Sequence, residues 1–197
     1  MYVYILGGFL GSGKTSLLMK LASMYSERKQ KVAIVVNESG EIGVDGATLK
    51  AQGYDAIELP SGCICCTLSG TLSAALTNIK NDIDPDIIII EPTGLALPNK
   101  VRDIVHNTCL DEDADIIIGD TDDDVQRFND LIKKKEEFFT RQMTGSNFIL
   151  INKCDLATKD QLDSATAWLA ERFPEKTILP VSVKDGTNLE KVYEMMQ

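Results

Sequence analysis

The sequence predicts a three-layer α/β domain with a doubly wound, mostly parallel sheet. Three observations support this prediction: short β-branched apolar runs alternate with amphipathic stretches, two of the runs are apolar at every position, and polar motifs directly follow several runs. A continuously apolar strand needs cover on both faces, as in a parallel sheet between helix layers. The alternation itself specifies right-handed crossover connections.

Seven apolar runs are predicted strands, and six amphipathic stretches are predicted helices. The strands are Tyr2 to Leu6, Val32 to Val36, Ala56 to Leu59, Ile87 to Ile90, Ile116 to Ile118, Phe148 to Ile151 and Ile178 to Val181. The helices are Lys14 to Arg28, Leu68 to Asn81, Val101 to Asn107, Val125 to Gln142, Lys159 to Phe173 and Leu189 to Met196. No repeat, low-complexity tract or long linker divides the sequence, so we expect residues 1–197 to form a single domain.

Composition and charge narrow the class of function. The 197 residues are 44% hydrophobic and 25% charged, as in an ordinary globular domain, and the formal net charge is −10. That charge repels nucleic-acid phosphates and anionic lipids, so we expect no nucleic-acid or membrane partner. The sequence has no apolar stretch of the ~20 residues that a membrane span needs. It does not start like a signal peptide, so we expect a cytoplasmic protein.

Residues Gly8 to Thr15 have the spacing of a phosphate-binding loop, G-x-x-x-x-G-K-[ST], between a predicted strand and a predicted helix. Glycines let backbone N–H groups turn toward a β-phosphate, and the helix N-terminus adds positive potential. Lys14 is expected to reach the β- and γ-phosphates, and the Thr15 hydroxyl to bind Mg²⁺. The alternative is a glycine-rich turn with a chance lysine. The expected nucleotide-binding residues here are Gly8, Gly11, Ser12, Gly13, Lys14, Thr15 and Ser16.

An acidic residue follows the strand Ile87 to Ile90, at a position where a hydrolytic nucleotide site needs a group near its metal. Glu91 is expected to hold Mg²⁺ or its bound water. The Gly94 N–H is expected to approach the γ-phosphate, because glycine lets the backbone come close. We therefore predict Lys14 and Glu91 as catalytic residues. The alternative for Glu91 is a helix cap at the end of the strand.

The motif Asn152 to Asp155 follows another buried strand and fits the N-K-x-D pattern that reads guanine in GTPases. Its carboxylate accepts hydrogen bonds from guanine N1–H and the 2-amino group, which adenine lacks, so GTP is favoured over ATP. Its asparagine is expected to brace the loop, and the lysine stem to cover the base. Ser182 to Lys184, after the last predicted strand, resembles the S-A-K element, a second and less specific guanine-contacting motif. The expected base contacts are Asn152, Lys153, Asp155, Ser182 and Val183, with a plain turn as the alternative for each motif.

Three of the five cysteines, Cys63, Cys65 and Cys66, lie within four positions after a predicted strand. This spacing is poor geometry for disulfides, whereas thiolates bind soft ions such as Zn²⁺ and Cu(I). A tetrahedral site needs further ligands from elsewhere, and the candidates are Glu38 and the single histidine, His106. An incomplete local set of ligands suits a site that hands metal on. Buried thiols or a redox switch are the alternatives.

Five motifs in order resemble the CobW/HypB/UreG family of GTPases, and the C-x-C-C element resembles its CobW-like branch most closely. They are Gly8 to Thr15, Glu38 to Asp45, Cys63 to Cys66, Glu91 to Gly94 and Asn152 to Asp155. The resemblance implies a SIMIBI-type P-loop fold, slow GTP hydrolysis, nucleotide-dependent dimerisation and metallochaperone or cofactor-insertion activity. It also implies that Asp45 positions or activates the attacking water, for which a turn residue is the alternative. The implied ligands of the transition metal are Glu38, Cys65, Cys66 and His106.

Three features differ from the family pattern, and one of them is Ser39, which stands where an aromatic residue is common in the family. CobW-like proteins usually carry a C-terminal domain, whereas this sequence ends about one helix after its last GTPase element, so we expect the GTPase domain alone, without a C-terminal CobW domain. Residues Gly119 to Asp124 are unusually acidic. We interpret them as the N-cap and first-turn acids of the following helix.

The leading hypothesis is a metallochaperone GTPase for a client metalloprotein or cofactor-dependent enzyme. In this hypothesis, the γ-phosphate and Mg²⁺ order the segment Glu38 to Gly46, and this ordering changes the affinity of the thiolates for metal. The expected metal is Zn²⁺, with Co²⁺ or Ni²⁺ as alternatives. One rival is a GTPase activator of a cobalamin or other metalloenzyme, whose cysteines only sense metal or redox state. The other rivals are a nucleotide-gated scaffold with a structural zinc and an ATP-dependent small-molecule kinase.

Overall fold

The computed structural model describes residues 1–9, 11–37, 55–59, 67–92, 97–108, 115–122 and 125–196. Its strands are β1 (Tyr2–Gly8), β2 (Val32–Asn37), β3 (Asp55–Leu59), β4 (Ile87–Glu91), β5 (Asp115–Asp122), β6 (Phe148–Ile151) and β7 (Thr177–Pro180). Its helices are α1 (Lys14–Glu27), α2 (Thr67–Asn78), α3 (Pro98–Asn107), α4 (Val125–Thr144), α5 (Lys159–Arg172) and α6 (Leu189–Met195). A π-helical turn, Ile79–Ile83, continues α2, and a 3₁₀ turn, Cys154–Leu156, follows β6.

The seven strands form one parallel sheet in the order β3-β2-β4-β1-β5-β6-β7, with β1 in the middle. The register places Tyr2 of β1 opposite Ile87 of β4 on one side and opposite Asp115 of β5 on the other. Because the strands are parallel, their carboxyl ends lie at the same edge of the sheet, where ligands of such folds bind. The predicted doubly wound α/β architecture is confirmed.

Helices cover both faces of the sheet, as the continuously apolar strands predict. Tyr4 and Leu6 of β1 pack with α1 and α6 in one apolar cluster. Val3 and Ile5 point to the opposite face, because side chains alternate along a strand, and pack with α2 and α3. Strand β6 likewise divides its residues between the α1–α6 cluster and a third cluster with α4 and α5. Full burial of each aliphatic side chain stabilises the fold by roughly 1.5–3 kcal/mol.

The predicted strands and helices are all present, and the largest difference in boundaries is at β5, which continues to Asp122. The interpretation of Gly119 to Asp124 as the cap and first turn of a helix is therefore wrong for residues 119–122. Residues 119–121 pair with both β1 and β6, for example Asp120 opposite Gly7 of β1 and opposite Ile149 of β6, and Asp122 pairs with Ile151 of β6. Two neighbouring strands thus satisfy the backbone groups of a segment whose acidic composition disfavours a strand. Residues 123–124 lie outside the described ranges.

Local sequence signals set the start of two helices. Helix α5 follows a capping box: the Gln161 N–H donates to Thr158 Oγ1 at 3.3 Å, and the Thr158 N–H donates to Gln161 Oε1 at 2.9 Å. Helix α3 begins with Pro98, whose missing N–H leaves nothing unsatisfied in a first turn. Of the helices in the described ranges, none is long and apolar enough to cross a membrane.

Candidate functional site

Polar segments that are distant in sequence meet at the carboxyl edge of the sheet. The glycine-rich loop follows β1, Glu91 is the last residue of β4, Asn152 follows β6, and Ser182 follows β7. Strands β4 and β1 are neighbours, and so are β6 and β7, with β5 between the two pairs. The predicted phosphate, metal and base elements therefore share one edge.

The glycine-rich loop after β1 turns through the left-handed region of backbone conformation. Gly8, Gly11 and Gly13 have φ angles of 131°, 84° and 86°, which residues with a Cβ rarely adopt. Helix α1 begins at Lys14 directly after Gly13, so the N–H groups of its first turn and its positive dipole end face the loop. Lys14 is 5% exposed, and its Nζ donates to the Phe9 carbonyl at 2.6 Å. This arrangement suits a polyphosphate.

Thr15 and Glu91 form a part-buried polar pair between α1 and the end of β4. Thr15 Oγ1 donates to Glu91 Oε1 at 2.8 Å. The other carboxylate oxygen, Oε2, is buried and has no hydrogen-bond partner among the described residues. Burial raises the pKa of Glu91, and the Thr15 hydrogen bond and the charge of Lys14 oppose the shift. A hydroxyl beside an unpartnered carboxylate oxygen is a set of hard oxygen ligands, which fits Mg²⁺.

Asn152 links the N-K-x-D motif to the glycine-rich loop. Its buried side chain donates from Nδ2 to the Ser12 carbonyl at 2.7 Å, and its Oδ1 accepts from the Lys153 N–H at 2.8 Å. A Cβ atom on Gly13 would lie 2.4 Å from Asn152 Nδ2, so this close approach requires glycine. The two loops are thus held together by one side chain, as a bracing role for Asn152 would need.

The two predicted base-contacting motifs lie side by side. Asp155 is exposed on the 3₁₀ turn after β6. The Cys154 N–H of that turn donates to the Val181 carbonyl at 3.1 Å, which ties the turn to the segment after β7. In that segment Ser182 is fully buried, and Val183 is half-buried. Burial, followed by the charges of two neighbouring carboxylates, raises the pKa of the Cys154 thiol, which disfavours the reactive thiolate.

The predicted transition-metal residues are not brought together by the described part of the structure. His106 is exposed in the last turn of α3. The other predicted ligands of the transition metal, Glu38, Cys63, Cys65 and Cys66, lie outside the described ranges. Two predicted residues of the nucleotide site, Asp45 and Gly94, also lie outside them. Within the described ranges, no group of three or more His, Cys, Asp or Glu residues could hold a metal ion. The C-x-C-C metal site therefore stays a prediction.

Two backbone acceptors at this site are not indicated by the motifs. The Phe9 carbonyl accepts from the Ser12 N–H at 3.2 Å as well as from Lys14, and the Ser12 carbonyl accepts from Asn152. The sequence feature that could have drawn attention to Phe9 is its large aromatic side chain, which is unexpected inside a glycine-rich loop. For the Ser12 carbonyl we find no sequence signal, because any residue type supplies a backbone oxygen.

Comparison with known proteins establishes the family. The family model described as "CobW/HypB/UreG, nucleotide-binding domain" matches residues 2–180. The chain belongs to this family. The zinc chaperone YeiR of Escherichia coli (strain K12) is 30% identical over 179 residues, which cover 89% of this chain and 53% of that protein. The zinc chaperone CobW of Sinorhizobium sp. is 31% identical in an alignment 210 positions long, which covers 92% of this chain and 58% of that protein.

A solved structure with the same fold is HypB from Helicobacter pylori in complex with nickel. Its TM-score is 0.69 at 22% sequence identity, and the match covers 100% of this chain and 85% of that chain. At this identity, the likeness shows the fold alone. The chain spans little more than half the length of the two curated relatives. Membership of the CobW/HypB/UreG family therefore applies to the nucleotide-binding domain described above.

Proposed function

We propose that this CobW/HypB/UreG domain binds and hydrolyses GTP and couples the nucleotide to a transition metal, as a metallochaperone or metal-insertion GTPase. The observation that carries the proposal is the part-buried pair of Thr15 and Glu91 beside the glycine-rich loop, in which the buried Glu91 Oε2 has no hydrogen-bond partner in the described residues. An unpaired carboxylate oxygen in a buried position lowers the stability of the fold, and a bound cation would remove this cost by pairing with it.

We propose the contacts of Lys14, Thr15, Glu91, Asn152 and Asp155 from their places at or near the carboxyl edge of the sheet, and the roles of Gly94 and Asp45 from the sequence pattern alone. Lys14 and the N–H groups after Gly13 would bind the β- and γ-phosphates, with Gly94 near the γ-phosphate. Thr15 and Glu91 would hold Mg²⁺, which when bound neutralises charge on the phosphate oxygens. Asp155 would select guanine, beside a loop that Asn152 holds to the Ser12 carbonyl. Hydrolysis would be slow, with Asp45 positioning the water.

The proposed metal cargo binds at the C-x-C-C segment. Thiolates suit Zn²⁺, and the relatives YeiR and CobW are named zinc chaperones. Co²⁺ and Ni²⁺ are the alternative ions. The ligands would come from Cys63, Cys65 and Cys66, with Glu38 and His106 completing the coordination. The recipient would be a client metalloprotein or cofactor-dependent enzyme in the cytoplasm, and the GTP-bound form would pair with a second copy of the chain.

The nucleotide part of the proposal is tested by comparing GTP hydrolysis of the wild type with that of Glu91→Gln and Glu136→Gln. Glu136 is an exposed glutamate paired with Arg172 and serves as the matched control. We expect Glu91→Gln to lower the rate about 10²-fold, since it removes a preorganised charge at the metal, and Glu136→Gln to keep the wild-type rate. ATP should compete weakly with GTP for the site. A Glu91→Gln rate equal to wild type, or equal affinity for ATP and GTP, would contradict the proposal.

The coupling is tested by measuring GTP affinity with and without Zn²⁺ in the wild type and in a Cys65→Ser, Cys66→Ser double variant. Coupling free energies between two sites are typically ~1–3 kcal/mol, so Zn²⁺ should change GTP affinity by at least about fivefold in the wild type. The double variant should lose this effect while still binding GTP. GTP affinity and hydrolysis that do not respond to Zn²⁺ would favour an activator whose cysteines only sense metal or redox state.

A further inference from the structure

An aromatic cluster connects the glycine-rich loop to helices α4 and α5. We use this term for Phe9, Phe128, Phe138, Phe139 and Trp168. Phe9 stacks on Phe139, with ring centroids 5.7 Å apart, and meets Phe138 edge-on at 5.5 Å. Trp168 of α5 meets Phe139 at 5.8 Å. Phe9 is 8% exposed and Phe139 is 0% exposed, so the ring of a loop residue is part of the buried core.

The same residue supplies the main-chain acceptor for the lysine of the loop. The Phe9 carbonyl accepts from Lys14 Nζ at 2.6 Å and from the Ser12 N–H at 3.2 Å. On either side of Phe9, the chain passes through Gly8 and Gly11, whose left-handed φ angles reflect a backbone with few steric restraints. Between these two glycines, Phe9 is the one described residue whose side chain can fix the direction of the loop.

We propose that Phe9 is a positioning residue for phosphate binding: its ring, packed on α4, fixes the carbonyl that orients Lys14 and closes the turn at Ser12. The proposal rests on the proposed function, because it assumes that Lys14 binds the phosphates of a guanine nucleotide. It adds a dependence of phosphate affinity on α4, a helix that lies outside the nucleotide motifs. Packed side chains in a core hold defined positions, which is the property that this role needs.

The experiment compares Phe9→Leu and Phe138→Leu with Phe128→Leu as the matched control. Phe128 is a 2% exposed ring of the same cluster and, like Phe138, belongs to α4, but its ring contacts are with Phe139 and Trp168, whereas Phe138 contacts Phe9 itself. Affinities for GDP and GMP are measured by competition against a fluorescent GTP analogue. Melting temperatures are followed by the emission of Trp168, the single tryptophan. GMP lacks the β-phosphate that the loop would enclose. A variant that only misplaces the loop should therefore weaken GDP binding and not GMP binding, whereas a variant that disturbs the whole site should weaken both.

We expect Phe9→Leu to weaken GDP binding about tenfold, comparable to the entropic cost of fixing one loop residue, and to leave GMP binding unchanged. Phe138→Leu, which removes a partner ring without changing the loop sequence, should weaken GDP binding about threefold. Phe128→Leu should lower the melting temperature and retain wild-type GDP affinity. Should Phe9→Leu fail to fold, Phe138→Leu alone decides the matter.

Several outcomes would overturn the inference. One is wild-type GDP affinity in Phe9→Leu and Phe138→Leu. Another is an equal loss of GDP and GMP binding in Phe9→Leu, which indicates a purely structural role. A third is a GDP affinity in Phe128→Leu that falls as far as in Phe9→Leu. Failure of the wild type to bind any guanine nucleotide is a separate result, which would refute the proposed function and the inference with it.

Discussion

Replacing Gly13 with alanine tests the contact between the two nucleotide loops. Gly13 has a φ angle of 86°, and a Cβ at this position would lie 2.4 Å from Asn152 Nδ2. Alanine in the left-handed region costs roughly 1–2 kcal/mol. Displacing the Asn152 amide from the Ser12 carbonyl would cost a further ~1–3 kcal/mol, because both groups are buried. We therefore expect Gly13→Ala to lower the free energy of unfolding by about 2–5 kcal/mol.

Gly186→Ala is a closely matched control for this substitution. Gly186 also has a φ angle of 86°, but a Cβ there meets nothing within 4 Å, so this variant should lose only the ~1–2 kcal/mol of backbone strain. The assay is urea denaturation of the nucleotide-free protein, followed by Trp168 emission. In an Asn152→Ala background, where the clashing amide is absent, Gly13→Ala should cost no more than Gly186→Ala. Equal losses for Gly13→Ala and Gly186→Ala in the wild-type background would refute the reasoning.

Two further predictions concern Glu91 and a helix cap. Burial raises the folded-state pKa of Glu91 above its ordinary value of 4.5, so the native state binds more protons than the unfolded state in this range, and stability falls as pH rises from 4.5 through the folded pKa. Glu91→Gln should therefore flatten this fall in urea titrations of the nucleotide-free protein; an unchanged pH profile would contradict it. Thr158→Ala removes the capping box of α5 and should cost about 1 kcal/mol of unfolding free energy, with Thr144→Ala as an exposed control; equal melting temperatures for the two variants would argue against the cap.

The strands and helices could be predicted from the sequence because each depends on a local pattern. The run Ile87 to Ile90 is apolar at every position, and the structure buries it between β1 and β2. The end of β5 could not be predicted in this way. Residues 119–121 extend the strand because β1 and β6 pair with them, and β6 pairs with Asp122; the identity of those neighbours is a property of the topology rather than of the segment.

In the candidate site, too, the local motifs could be predicted from the sequence, whereas the contacts between them could not. The spacing of Gly8 to Thr15 and of Asn152 to Asp155 is local, so sequence alone indicates a phosphate element and a base element. The hydrogen bond that joins them, from Asn152 to the Ser12 carbonyl, spans 140 residues and uses a backbone acceptor that no residue type signals. The packing of Phe9 against α4 also depends on which helix covers the loop. Contacts between elements therefore required the structure.

The most direct test of the central claim is the Zn²⁺ affinity of the protein in metal-buffered solution, measured with GTP and Mg²⁺, with GDP and Mg²⁺, and without nucleotide. If the triphosphate and the thiolates are coupled, the Zn²⁺ dissociation constants with GTP and without nucleotide should differ by at least about fivefold, which is the same factor by which Zn²⁺ changes GTP affinity. A single Zn²⁺ affinity in all three conditions, or no Zn²⁺ binding in any, would contradict the account.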